Sequence, residues 1–203
     1  MVDNIREPKQ QRAIKKKDKI IEVGFNLICK NGYYNTNTAE IAKEADVSTG
    51  IVYQYFKDKN DILLDGLYKF GDAIFFPILT LDLSNYDIKN FDNDLTNLIA
   101  SQIKNHKLSQ SAHEEITAMI HTDSNVAKYF YDKEFEVTER IKNLLVKNCY
   151  EEEQLLEKVH IIIGLIDNLC HEIIYHKHSN MNYDIMTNLV IENIKFLFKN
   201  DLV

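Results

Sequence analysis

The chain has 203 residues, enough for one or two domains, and its 45% hydrophobic and 27% charged residues suit a water-soluble core-forming protein. Only six Gly and two Pro, without regular alternating apolar runs, argue against sheet architectures and for an all-α fold. The net charge of −7 speaks against a polyanionic partner until it is divided: residues 1–60 hold 11 Lys and Arg against 8 Asp and Glu, a balance of +3, which leaves −10 on residues 61–203.

The amino-terminal stretch MVDNIREPKQQRAIKKK lacks the apolar centre of a secretory leader, and its cations Arg6, Lys9, Arg12, Lys15, Lys16, Lys17 and Lys19 form either a phosphate-neutralising arm or a solvated tail. The first helix is expected over 11–31, with Gly32 as its stop. Two short helices follow within TAEIAKEADVSTGIVYQYFKDK, residues 38–59. Ile41, Ala42 and Ala45 share one face of the first. Asp46 must turn the chain through the left-handed region, Val47 and Val52 fill the angle, and Ser48 caps the second helix. Asn37 and Glu40 have capping-box spacing. A fourth helix should start at Asp58 or Lys59 and end at Pro77. Further helices are expected over about 91–107, 110–121, 125–147, 152–177 and 183–200, nine in all.

From Asp18 to Leu63 the chain resembles the amino-terminal domain of the TetR (tetracycline-repressor) family of bacterial transcription regulators. The resemblance rests on Ile20-Ile21, Leu27, Gly32-Tyr33, Thr36, Ile41-Ala42, Ala45, Val47-Ser48, Gly50, Val52-Tyr53, Tyr55-Phe56 and Lys59. Three positions depart from the family pattern: Val23-Gly24 stands for an alanine pair, Asn37 for a Thr and Asp46 for the turn Gly. The resemblance implies a three-helix helix-turn-helix DNA-binding domain over residues 1–58 and a larger helical effector-binding and dimerisation domain over 59–203. It also implies a cytoplasmic bacterial protein acting on double-stranded DNA.

Candidate DNA contacts are Thr36, Asn37, Thr38, Ser48, Thr49, Gly50, Tyr53, Gln54, Tyr55, Lys57 and Lys59. No Arg or Lys lies between Ser48 and Phe56, so a bidentate grip on guanine is missing from that helix. Gln54 can pair with adenine, and Thr49 can touch thymine methyls; Ile51 is either a base contact or buried. An A·T-leaning palindromic operator follows. In the family the last two helices pair with their twins, which nominates Ile162, Ile166, Leu169, Ile173, Val190, Ile194 and Leu197 for a homodimer interface; the alternative is that both are central helices of a monomer. The family also binds small molecules among its later helices, and Phe70, Phe91, His106, Phe130, Asp167 and His171 are candidates for that pocket, or else ordinary core.

No cofactor, metal site or enzymatic activity is expected. In the string CHEIIYHKH, His171 and His176 are five apart and point about 140° away from each other on a helix, and no nucleophile or phosphate-loop motif is present. The function expected is a homodimeric repressor released from its operator by a small hydrophobic ligand. The alternatives are a dimeric DNA-binding regulator controlled by a protein partner or by DNA occupancy alone, and, more remotely, a helical enzyme or metal-binding protein.

Overall fold

The computed structural model describes residues 11–198 except 84, 87, 89, 90 and 109, and leaves the side chains of 105, 107, 108 and 110–112 undescribed. Among the described residues the chain is all-helical: α1 (Gln11–Asn31), α2 (Thr38–Glu44), α3 (Thr49–Tyr55), α4 (Lys59–Gly66, continuing through a π-turn Leu67–Gly71 to Asp72–Phe75), α5 (Phe91–Leu108), α6 (Gln110–Ala118), α7 (Ser124–Lys147), α8 (Leu155–Ile174) and α9 (Tyr183–Leu197). Short 3-10 turns, Pro77–Thr80 and Met119–His121, follow α4 and α6. None of the described helices is long and apolar enough to cross a membrane. The chain forms two compact units, Met1–Ile74 with Ser109–Tyr131, and Phe75–Leu108 with Asp132–Val203.

In the first unit, Ile20 and Ile21 of α1, Ile41, Ala42 and Ala45 of the α2 end, Val52 and Tyr55 of α3, Phe56, and Ile62 of α4 build one core. The helices approach closely because small residues sit where they cross. A methyl on Gly24 would lie 2.5 Å from the Ile62 Cγ2 and 3.3 Å from Ile41. The departure from an alanine pair at Val23-Gly24 is thus explained: Ile62 occupies the space that an alanine would need. Gly66 plays the same part against Phe25, whose Cβ would be 2.7 Å from an added methyl. Further along, Phe25, Ile28, Leu63, Leu67, Ile116, Val126 and Tyr129 are all fully buried. The Tyr129 hydroxyl donates to Asp72 at 3.1 Å and lies where a side chain on Gly71 would be.

In the second unit, α8 is the central element. Leu155, Val159, Ile162, Ile166, Leu169 and Cys170 form its buried stripe, packed with Leu95 and Ile99 of α5, Leu145 of α7, and Ile194 and Phe198 at the end of α9. Helix α8 is shorter than its sequence pattern suggests. It begins at Leu155 because Gln154 sits left-handed (φ 57°), and Tyr150 turns into the core just before it. It ends at Ile174, where the amides of Tyr175 and His176 both donate to the His171 carbonyl at 2.8 and 3.2 Å. The lone late arginine, Arg140, is spent on structure, donating to the carbonyls of Leu79 and Leu81.

The Gly66–Phe25 crossing yields a direct expectation. Gly66→Ala must displace the Phe25 backbone-proximal atoms, an overpacking that costs about 1–3 kcal/mol. Thermal denaturation should show a clear fall in Tm, whereas Gly164→Ala, with nothing within 4 Å of the added methyl, should raise Tm slightly through helix propensity.

Candidate nucleic-acid interface

Helices α2 and α3 are set at their angle by a tight turn. Ala45 ends α2, Asp46 takes φ 58°, and two amides close back: Val47 to the Ala42 carbonyl at 2.9 Å and Asp46 to Lys43 at 3.2 Å. This pair of bonds is the Schellman pattern in which glycine is usual. Asp46 therefore fills the turn as the sequence requires, with the steric cost of a side chain in the left-handed region. At the head of α2 the Asn37 side chain accepts from the Glu40 amide at 2.9 Å, one half of a capping box. The other half is not made, because Glu40 accepts instead from the Asn31 side chain at 3.4 Å. Ser48 stands at the N-cap of α3 without a side-chain cap bond.

The face presented to solvent carries Asn37, Ser48, Thr49, Gly50, Tyr53, Gln54 and Lys57, all exposed, with Thr38 half-buried at its edge. The hydroxyls of Thr38 and Tyr53 lie 3.0 Å apart, so the first residue of α2 and the middle of α3 form one polar ridge. Ile51 packs toward the domain core, and of its two readings the structure takes the buried one. A phosphate could meet hydroxyls and a lysine along this ridge, and a base edge could meet Gln54 and Thr49.

Three of the sequence candidates are placed elsewhere. Thr36 is buried and donates to the Gly32 carbonyl at 2.9 Å, holding the turn after α1. Tyr55 is buried in the core, on the α3 face opposite the polar ridge. Lys59 turns inward: its ammonium donates to the carbonyls of Tyr33 and Thr36 and lies 4.1 Å from the centre of the Tyr33 ring. Burial pushes its pKa down from the ordinary lysine value. The start of α4 is already capped by an anion, since Asp58 accepts from the amides of Asn60 and Asp61 at 2.7 and 3.2 Å. Lys59 is a structural clamp, and the acidic cap disfavours a phosphate there. Of the flanking lysines, Lys15 and Lys19 are exposed, while Lys17 pairs with Asp65 at 3.1 Å. Arg6 and Lys9 lie outside the described residues.

Sequence patterns gave no sign of Glu115. Its carboxylate accepts from the Tyr34 amide at 3.2 Å, beside the left-handed Gly32 (φ 91°), and so fixes the loop between α1 and α2. Asp123 does the same for α4 by accepting from the Asn60 side chain at 2.7 Å. Tyr34 itself is 72% exposed, its ring edge-on to that of Tyr33. Neither acid lies in a recognisable motif; only the fold brings them to the turn.

Of the candidates for an effector pocket, Phe70 and Phe130 belong to the first unit and Phe91, His106, Asp167 and His171 to the second. Phe70 packs against Phe25 (5.9 Å) and Phe130 against Tyr129 (5.4 Å) in the first unit. In the second unit Phe91 joins Tyr150 and Phe198 at one end of α5. His106 is fifteen residues further along that helix, roughly 22 Å away at its rise per residue. His106, Asp167 and His171 do come together. His106 Nε2 lies 3.5 Å from one Asp167 oxygen and His171 Nε2 3.7 Å from the other. Burial and the neighbouring His171 push His106 down to about 4, so its imidazole is neutral at ordinary pH.

The seven residues nominated for a dimer interface pack within the chain. Ile162, Ile166, Leu169 and Ile194 are core, and Ile173, Val190 and Leu197 pack against that core. The exposed apolar residues on these two helices are different ones: Ile161 (54%) on α8, and Ile185 (57%), Leu189 (58%) and Phe196 (76%) on α9.

Residues 20–65 match the family model described as "Bacterial regulatory proteins, tetR family". The chain is 50% identical over 48 residues to the HTH-type transcriptional regulator HbdR of Aromatoleum sp. (strain CIB), a match covering 24% of this chain and 21% of that one. It is 20% identical over 192 residues to the uncharacterized HTH-type transcriptional regulator YerO of Bacillus subtilis (strain 168), covering 88% of this chain and 63% of that one. The chain thus spans less than two thirds of the length of these curated relatives. Among solved structures, the multidrug binding protein EbrR complexed with proflavin superposes with a TM-score of 0.66 at 15% identity, over 90% of this chain and 99% of that one. This last likeness is one of fold.

The turn at Asp46 offers a test of the reader's geometry. Asp46→Gly should stabilise the protein by roughly 0.5–1 kcal/mol, because glycine takes the left-handed conformation without a Cβ penalty. Asp46→Val should cost more than that gain. Paired thermal melts of the two variants check both directions.

Proposed function

Because the chain belongs to the TetR family, we propose that it is a homodimeric DNA-binding repressor, released from a palindromic operator by a small hydrophobic ligand. The observation that carries this reading is the exposed ridge of Asn37, Thr38, Ser48, Thr49, Gly50, Tyr53, Gln54 and Lys57 on a rigid two-helix frame. On this reading DNA recognition belongs to residues 1–58, and ligand binding and dimerisation to residues 59–203. Hydroxyls, Lys57 and the lysines at the start of α1 supply phosphate contacts. Gln54 and Thr49 select bases, which favours A·T pairs.

Dimerisation is supported by the apolar side chains that α8 and α9 turn to solvent. Ile185, Leu189 and Phe196 fall at positions i, i+4 and i+11 of α9 and so share one face. On α8, Ile161 is likewise 54% exposed. A two-fold pairing would present two readers to the two halves of a palindrome. Ligand release requires that the effector bind more tightly to the form that fits DNA poorly. That EbrR is a multidrug binding protein complexed with proflavin supports a small organic ligand here. The α1–α2 loop, held by Glu115, and α4, held by Asp123, are the contacts through which such a change reaches the reader.

Selection of bound duplexes from a random pool should return an A·T-rich palindrome; a G·C-rich or asymmetric consensus overturns the reading. On that duplex Gln54→Ala should cost about 1–3 kcal/mol and relax preference at one base pair. Lys57→Ala should weaken all sequences alike and lower the salt slope by about 1. Leu189→Glu should give a monomer in sedimentation and weaken operator binding, whereas Ile166→Glu should unfold the second unit. A thermal-shift screen in which only polyanions stabilise the protein would reject the hydrophobic ligand.

A further inference from the structure

Helix α4 is regular from Lys59 to Gly66, widens into a π-turn over Leu67–Gly71, and then resumes. Its first part belongs to the reader: Lys59 holds the loop after α1, and Ile62 sits in one core with α2 and α3. A π-turn takes up one residue more than an α-turn and is rare, so its surroundings must account for it. Here they come from α1 and the start of α7, in the same compact unit. Phe70 packs on Phe25 (5.9 Å), Tyr68 stands edge-on to Tyr129 (5.3 Å), and Leu67 is fully buried. Tyr129 is fully buried as well, and a buried phenol needs a partner for its hydroxyl. It donates to Asp72, the first residue past the turn, at 3.1 Å.

The decisive distance is at Gly71. A Cβ there would lie 2.3 Å from the Tyr129 oxygen and 3.0 Å from its Cζ, so the tip of the phenol rests on backbone that only glycine leaves bare. Closing the π-turn to an ordinary α-turn would set each later residue one place further on, about 100° around the axis and about 1.5 Å along it. Phe70 then comes to the place of Gly71. Its Cβ meets the hydroxyl, and Asp72 leaves its bond. The Tyr129 oxygen therefore bars the α register twice, by filling the space and by holding Asp72. A phenylalanine at 129 removes both obstacles and leaves Cζ at 3.0 Å, which a small movement relieves.

We propose that Tyr129 is a positioning residue for DNA binding, whose hydroxyl pins the π-turn of α4 and so fixes how α4 packs on α1. When the turn closes, Phe70 leaves Phe25, the side chain that also covers Gly66, and α1 loses a contact that locks it to the reader's side of α4. The pin stands on the geometry of the first unit alone. Its effect on duplex affinity rests on the repressor reading.

The test uses the full chain. Tyr129→Phe nearly conserves volume, and a thermal melt confirms that it folds. Its crystal structure should show α4 continuous through residues 67–71 with Phe70 in the place of Gly71; a retained π-turn overturns the proposal. Against the duplex selected by the unaltered chain, Tyr129→Phe should bind roughly 2- to 30-fold more weakly, the range for substitutions that touch neither partner. Asp72→Ala removes the same bond from the half-buried side and should weaken binding in the same direction. Tyr86→Phe, which removes a comparable phenol bond to Asp94 (2.8 Å) in the second unit, should leave affinity unchanged. Undiminished binding in both Tyr129→Phe and Asp72→Ala, or an equal loss in Tyr86→Phe, overturns the proposal. A chain that selects no duplex, yet closes its π-turn in Tyr129→Phe, refutes the repressor reading and leaves the pin standing.

Discussion

The ammonium of Lys59 fixes the reader more than any other single group. It sits on the carbonyls of Tyr33 and Thr36 and over the Tyr33 ring, so the first residue of α4 is bound to the loop that joins α1 to α2. That loop leaves two carbonyls pointing at a lysine instead of at water, and a half-buried cation without them would carry a large desolvation cost. Thr36 completes the arrangement from inside by bonding the Gly32 carbonyl. The position of α2, and through the Asp46 turn that of α3, follows from this knot. A lysine whose place in the sequence suggests a phosphate contact is therefore what gives the exposed residues of α2 and α3 their places.

The same contrast explains which parts of the molecule were legible beforehand. The helix limits at Gly32, Asn37 and Pro77 were, because these residues act through local backbone chemistry that needs no tertiary context, whereas both ends of α8 fell inside the range its apolar pattern suggests. Asp46 was legible for the same reason: few other residue types enter the left-handed region readily, and it is found there. Lys59 was not, because a lysine at a helix start reads identically whether its stem points out or in. Nor was the exposed side of α8 and α9. Periodicity shows that both helices are apolar over a wide arc, but not which stripe the chain buries for itself. The stripe through Ile162, Ile166 and Leu169 met α5 and α9, and Ile161, Ile185, Leu189 and Phe196 were left outward. Contacts between distant positions, such as Glu115 with Tyr34 or His106 with Asp167, leave no trace in spacing at all.

Charge is distributed to match this division of labour. The recognition helix carries no cation, so whatever affinity the ridge has for a duplex must come from hydroxyls, one exposed lysine on the ridge and the basic start of α1. Such contacts position without reading sequence, and they weaken steeply with salt. Four acids of the first unit have structural duties. Asp58 caps α4, Asp61 accepts from the Lys57 amide at 2.8 Å, and Asp123 and Glu115 hold loops. Asp46 is not among these, an exposed acid at the turn itself, beside the exposed Glu44 of α2.

The missing cation of the recognition helix bears on how a weak grip could be regulated. A reader with a strong cationic helix would need a large displacement to release DNA, because each lost phosphate contact is a modest fraction of the whole. One that relies on hydroxyls held in register by a 3.0 Å Thr38–Tyr53 contact is sensitive to much smaller shifts. Hydrogen bonds fall off within a few tenths of an ångström and with angle, whereas charge attraction falls off slowly. The contacts that set this register, at Lys59, Glu115 and Asp123, are polar and few. On the proposed function, loosening one of them, through α4 or through α6 and the start of α7, is enough to spoil the ridge without moving the helices far.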